Sequence, residues 1–123
     1  MSTRILIIGA PELRRPQLED ALQQAGYQAL SMAPAVELAA VVTDLAPALI
    51  IFSVRDPQDA DFAHCCALLA RVKIPLIVLF EGAREDGVAR ALEAGATEAL
   101  VWPIWLPELL ARLRAILRRT QRA

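Results

Sequence analysis

A chain of 123 residues, 56% apolar and 22% charged, is sized for one compact domain with a substantial core, which excludes a disordered polymer. Its net charge of −1 supplies no global attraction toward nucleic acid or an anionic membrane. Its apolar runs are broken by Pro, Asp or Glu before they reach the roughly 20 residues a membrane span needs.

Arg4 to Ile8 is a short β-branched apolar run closed by Gly9, Ala10 and Pro11. It is too short for the apolar region of a secretory leader and predicts a first strand. Pro11 suits the first turn of a helix. Leu18, Ala21, Leu22 and Ala25 recur at helical spacing, and Gly26 follows as the C-cap. A weaker strand, Tyr27 to Met32, leads to a second helix from about Val36 to Leu45, which Pro47 punctuates. Ala48 to Phe52 is the next strand, apolar throughout, and Ser53 stands where it ends.

Asp59 reads as the N-cap of a third helix reaching Val72. Pro75 opens the strand Leu76 to Phe80, Glu81-Gly82-Ala83 is a loop, and Arg84 to Ala94 is a fourth helix closed by Gly95. Glu98 to Val101 is a fifth strand and Trp102-Pro103 turns the chain. Leu106, Leu109, Leu110, Leu113, Ile116 and Leu117 line one face of a last helix.

This is five βα units in series. Strands without polar alternation are expected where helices cover both faces of a sheet. Right-handed crossovers then give a three-layer α/β sandwich around a parallel sheet. Functional groups in such sheets gather at the carboxyl ends of the strands, here Gly9-Ala10, Ser53, Phe80 and Val101-Trp102. The neighbouring Cys65 and Cys66 cannot form a disulfide framework, which points to a reducing, cytoplasmic setting. His64-Cys65-Cys66 lacks the separated ligands of a zinc site and reads as part of a half-buried helix face. No G-x-G-x-x-G loop is present, and one histidine on a helix makes no catalytic triad.

The segments RILII, PELRR…LEDALQQAGYQAL, PALIIFSV..P, KIPLIVLF, ALEAGATEALVWPI and PELLARLRAILRR resemble, in order, the receiver domain of two-component response regulators. The resemblance covers residues 1–123 as a single receiver-like domain and implies a flavodoxin-like (βα)5 fold with strand order 2-1-3-4-5. It also implies that the chain is the N-terminal part of a longer regulator. In that family a carboxylate ending the third strand accepts a phosphoryl group, and an acidic pair after the first strand helps hold Mg²⁺. A Thr or Ser ends the fourth strand, and Lys-Pro ends the fifth.

Carried over by position, the acidic pair falls on Gly9 and Ala10, the acceptor on Ser53, the hydroxyl on Phe80 and the lysine on Trp102, while Pro103 and Pro57 survive. Gly and Ala supply no hard oxygen ligand, so the Mg²⁺ site is expected to be lost and no cofactor is expected. An indole supplies no positive charge for phosphoryl oxygens, and a serine hydroxyl without a base is a poor nucleophile. Ser53 is expected to satisfy a nearby backbone group. Glu12, Asp56, Asp59 and Glu81 read as solvated charges near loop ends rather than as replacement ligands.

Two further exchanges bear on switching. The family's mobile aromatic on the fifth strand maps to Ala99, so Phe80 is positioned either to lock one arrangement or to repack the same volume. Trp102 is expected to fold over the emptied pocket. Trp105 marks a contact surface, which the resemblance places on the fourth-helix, fifth-strand, fifth-helix face together with Ala99. Arg112, Arg114, Arg118, Arg119 and Arg122 read as a solvated face favourable to the last helix's C-terminal end.

The leading expectation is a pseudo-receiver: a non-enzymatic, phosphorylation-independent signalling domain. It would regulate transcription through a protein partner or homodimer, with no nucleic acid or membrane contact of its own. Next stands the receiver of an antiterminator-type regulator with an RNA-binding output. A conventional phosphorelay receiver, or a small enzyme built on Ser53 or the nearby acids, has the least support from the residues.

Overall fold

The computed structural model describes residues 3–35, 37–82 and 86–121. The elements run β1 (Arg4–Ile8), α1 (Arg15–Gln24), β2 (Gln28–Met32), α2 (Ala39–Leu45), β3 (Leu49–Val54), α3 (Ala60–Arg71), β4 (Leu76–Phe80), α4 (Gly87–Glu93), β5 (Glu98–Val101) and α5 (Leu106–Gln121). All strand pairs are parallel and the sheet order is β2-β1-β3-β4-β5. This is the expected flavodoxin-like receiver fold.

The pleat sends alternate residues of each strand to opposite faces. Leu6, Ile8, Ile50, Phe52, Leu76, Val78 and Phe80 pack with Val42 of α2, Phe62, Cys65 and Leu68 of α3, and Ala91 of α4. Ile5, Ile7, Leu49, Ile51, Ile77 and Leu79 pack on the other face with Leu18 and Leu22 of α1 and Leu109, Leu113, Ile116 and Leu117 of α5. Residues of β3 alternate between these two clusters, which is why the strand shows no polar periodicity. Each fully buried Leu or Ile contributes roughly 1.5–3 kcal/mol of apolar transfer free energy.

Several boundaries differ from the sequence reading, each for a local reason. Pro11 does not start a helix: residues 11–14 form a turn in which the Leu13 N–H donates to Ala10 O at 3.0 Å, and Leu13 is buried. Helix α1 starts at Arg15 with Pro16 in its first turn, where a missing N–H costs nothing. At its other end, Gly26 (φ 93) carries the chain out, with the Tyr27 N–H on Leu22 O at 3.0 Å. Helix α2 is shorter than expected, beginning at Ala39, while Val36 lies outside the described residues. Asp59 caps α3 as anticipated, its side chain accepting from Asp61 N at 3.0 Å. The expected start of α4 at Arg84 lies outside the described residues; the helix spans Gly87–Glu93.

Strand β3 runs two residues further than expected. Ser53 is therefore inside the strand, in register with Leu79, and Val54 with Phe80.

Candidate functional site

The carboxyl edge of the sheet brings Gly9, Ser53, Phe80 and Trp102 to neighbouring strand ends. Gly9 continues β1, its N–H donating to Met32 O at 3.1 Å, and it lies so close to β3 that a Cβ on it would meet Ser53 Cβ at 2.9 Å. The Trp102 N–H extends the β4–β5 ladder by donating to Phe80 O at 2.9 Å. Pro103 follows in a cis peptide bond and is exposed, and Ala10 is half-buried.

Side chains at this edge divide between the two layers. Phe80 turns to the α3/α4 side, its ring 5.7 Å from Phe62 and against Gly87. Trp102, only 9% exposed, packs on the α1/α5 side. Ser53 is 2% exposed, and its Oγ has no hydrogen-bond partner among the described residues. The expectation that this hydroxyl satisfies a backbone group therefore does not hold. Backbone N–H groups near it are already committed: Gly9 to Met32 O, Glu81 to Val54 O at 2.9 Å and Trp102 to Phe80 O. Trp102 Nε1 is likewise buried without a partner.

Charged side chains cover this edge in pairs. Arg14 places its guanidinium 4.8 Å from the centre of the Trp102 ring, with Nε 3.4 Å from Glu81 Oε1. Arg55 Nη2 donates to Glu12 Oε1 at 2.9 Å, and Arg15 Nη1 donates to Gly9 O at 3.1 Å. Asp56 accepts from Gln58 N at 2.8 Å and Asp59 is occupied as a helix cap. All four acids considered as replacement ligands thus have protein partners. Among the described residues no three His, Cys, Asp or Glu side chains converge as a metal site. The donor set at positions 9, 10 and 53 does not fit Mg²⁺, which demands hard oxygen ligands. The only lysine in the sequence, Lys73, precedes β4 at the opposite edge of the sheet.

The second candidate region is the α4–β5–α5 face. Trp105 is 74% exposed just before α5, and Leu92 on α4 is 47% exposed. Ala99 is half-buried and packs against the core from β5. Arg112 of α5 reaches Glu98 of β5 at 3.4 Å and Glu108 at 3.5 Å. Arg114, Arg118 and Arg119 are exposed, as expected for a solvated helix face, and Arg122 lies outside the described residues.

The His64-Cys65-Cys66 run behaves as a helix face. His64 Nδ1 lies 3.7 Å from Asp61 Oδ1, and burial, with a smaller contribution from Asp59, holds the Asp61 carboxyl above its ordinary range. Burial pushes the Cys65 thiol up to about 12, and it raises Cys66 against the opposing influence of Arg90. Such thiols are poor nucleophiles near neutral pH. What the sequence reading missed was Arg14: nothing in local spacing marks it, because its partners Glu81 and Trp102 arrive from other loops.

No protein-family model matches the chain. It is 34% identical over 119 residues to the phosphate regulon transcriptional regulatory protein PhoB of Pseudomonas aeruginosa, covering 94% of this chain and 52% of that protein. It is 33% identical over 123 residues to the response regulator MprA of Mycobacterium tuberculosis, covering 98% of this chain and 53% of that protein. The chain thus spans about half the length of these relatives.

Among solved structures, it superposes on a CheY-like receiver domain protein from Methanospirillum hungatei with TM-score 0.82 at 19% identity, covering 99% and 98% of the two chains. The signal receiver domain of a histidine kinase from Syntrophus aciditrophicus gives TM-score 0.81 at 26% identity, covering 99% and 95%. The BeF3-activated receiver domain of Klebsiella pneumoniae RstA gives 0.79 at 22%, covering 94% and 99%. With its strand order, its fold and its relatedness over nearly its whole length pointing the same way, the chain belongs to the receiver domains of response regulators.

Proposed function

We propose that this receiver signals without phosphorylation, as a pseudo-receiver that regulates its output through protein contacts. The observation that carries the reading is the composition of the carboxyl edge. Where phosphoryl transfer needs a carboxylate acceptor, metal ligands and a cation, the edge presents Ser53, Gly9, Ala10, Phe80 and Trp102. Glu12 and Glu81 at this edge are paired with arginines, and the only lysine, Lys73, precedes β4 at the opposite edge.

The α4–β5–α5 face is the proposed contact surface. Two of the three exposed large apolar side chains among the described residues, Leu92 and Trp105, belong to it. A mixed-charge ladder of Glu98, Glu108 and Arg112 lies beside them, which suits a self-complementary contact with a second copy. The two relatives are roughly twice as long, and PhoB among them is a transcriptional regulatory protein. The reading takes this domain as part of a longer transcription regulator, at its N-terminal end, whose output would respond to dimerisation or partner binding.

The test has two arms. Exposure to acetyl phosphate with Mg²⁺, or to beryllofluoride, is expected to leave intact mass and amide NMR shifts unchanged; an adduct or a shifted β3–β5 edge would overturn the reading. Sedimentation of wild type against Trp105→Ala should show weaker self-association in the variant, and identical behaviour would remove Trp105 from the interface.

A further inference from the structure

We infer that Arg14 is a built-in cation that ties three loops of the carboxyl edge together and holds them in one arrangement. It rests on the reading of that edge as a switch region without its acceptor chemistry. Arg14 lies in the β1–α1 loop, Glu81 follows β4 and Trp102 follows β5. A single guanidinium engages both partners, 3.4 Å from the carboxylate and 4.8 Å from the indole centre.

The backbone supports an assigned role for this side chain. Arg14 has φ 63 in the left-handed region, one of two non-glycine residues with positive φ among the described residues. Such a conformation is unfavourable for a side-chain-bearing residue and persists where surrounding contacts hold it. Here the turn that requires it buries Leu13 and carries Arg14 inward over Trp102. A planar guanidinium can lie over an aromatic face and pair with a carboxylate at once, which a lysine ammonium does less well.

Magnitudes separate this contact from its neighbour. Glu12 and Arg55 have side chains 59% and 53% exposed, so that ion pair is worth little. Arg14 and Glu81 have side chains 42% and 32% exposed, so their ion pair is also partly screened; the distinguishing feature is the buried Trp102 ring beneath the guanidinium. Among the described residues, the start of the β4–α4 loop is also held by the Glu81 N–H on Val54 O of β3 at 2.9 Å and the Gly82 N–H on Arg55 O just beyond it at 3.3 Å. Those two amides report directly on whether the loop is held.

The experiment compares Arg14→Ala and Arg14→Gly with wild type, all in a Trp105→Phe background that leaves Trp102 as the only indole. Arg14→Ala keeps the strained backbone and loses the clamp; Arg14→Gly loses both. Both variants are expected to exchange the Glu81, Gly82 and Trp102 amides about fivefold or more faster, with strand-centre amides unchanged. Trp102 emission should shift to the red in both. Unchanged exchange in either variant would overturn the clamp, since the glycine variant removes the side chain without adding strain. Acetyl phosphate with Mg²⁺ on the wild type is read separately: an adduct would defeat the phosphorylation-independent reading while leaving the exchange result to judge Arg14.

Discussion

Replacing Gly9 by alanine tests how tightly the carboxyl edge is closed. The new Cβ would lie 2.9 Å from Ser53 Cβ, 3.4 Å from Ser53 O and 3.6 Å from Ser53 Cα. Only the first contact is prohibitive, and neither strand is free to yield. Strand β1 is paired on both sides, and the Gly9 N–H is held by Met32 O. Overpacking of this kind costs ~1–3 kcal/mol. Restricting the unfolded chain returns ~0.4–1 kcal/mol. The net expectation is a destabilisation of roughly 1–2 kcal/mol, or a midpoint lowered by about 4–8 °C in a domain of this size. Urea unfolding followed by circular dichroism at constant m reads it directly. Adding Ser53→Gly removes the colliding atom, so the double variant should be less destabilised than the two singles together by at least ~1 kcal/mol. Wild-type stability in Gly9→Ala, or strict additivity in the double variant, would refute the reasoning.

Two further outcomes follow from the same structure. Ser53→Ala should raise stability by about 1 kcal/mol, because it deletes a buried hydroxyl with no partner while keeping the volume close; a lower urea midpoint would mean the hydroxyl is bonded. The Cys65 thiol is raised from 9.0 to about 12, mainly by burial with a smaller push from Cys66, so the unfolded thiol ionises first. Its contribution is fully present below pH 9 and is lost as the pH rises toward about 12, up to roughly 4 kcal/mol at ~1.4 kcal/mol per pH unit. Unfolding free energies compared between pH 8 and 11 should fall more steeply for wild type than for Cys65→Ala, and parallel curves would refute the assignment.

The layers of this fold were legible because strands buried on both faces leave continuous apolar runs. β1, β4 and β5 end where their apolar runs give way to Gly9, Glu81 and Trp102-Pro103. The end of β3 was misplaced because Ser53 and Arg55 look like a turn in composition, while the neighbouring strand extends pairing through Val54. Helix α1 was started early because two prolines, Pro11 and Pro16, both suit a first turn, and only the burial of Leu13 decides between them. At the site, the substituted positions could be read from their order along the chain, and the exposure of Trp105 followed from its place before a helix. The pairing of Glu12 with Arg55 spans 43 residues, and no local pattern records it.

The closure of the edge also decides what a family residue type would meet there. Ser53, Phe80 and Trp102 are buried, and Arg14 and Arg55 at this edge are each engaged with an acid of a different loop, Glu81 and Glu12. A carboxylate placed at position 53 would enter a buried site where, among the described residues, the backbone N–H groups of Gly9, Glu81 and Trp102 are already bonded. Burial would raise its pKa and favour the neutral acid, which is a poor phosphoryl acceptor. Introducing a lysine at position 102 would supply the charge but remove the indole on which Arg14 rests, loosening the β4–α4 loop. The substitutions are therefore coupled through Arg14 and Trp102. Placing a family residue type at any one of these positions is therefore expected to work against the contacts that the others make, and faster exchange of the Glu81 and Gly82 amides in a Trp102→Lys variant would report it.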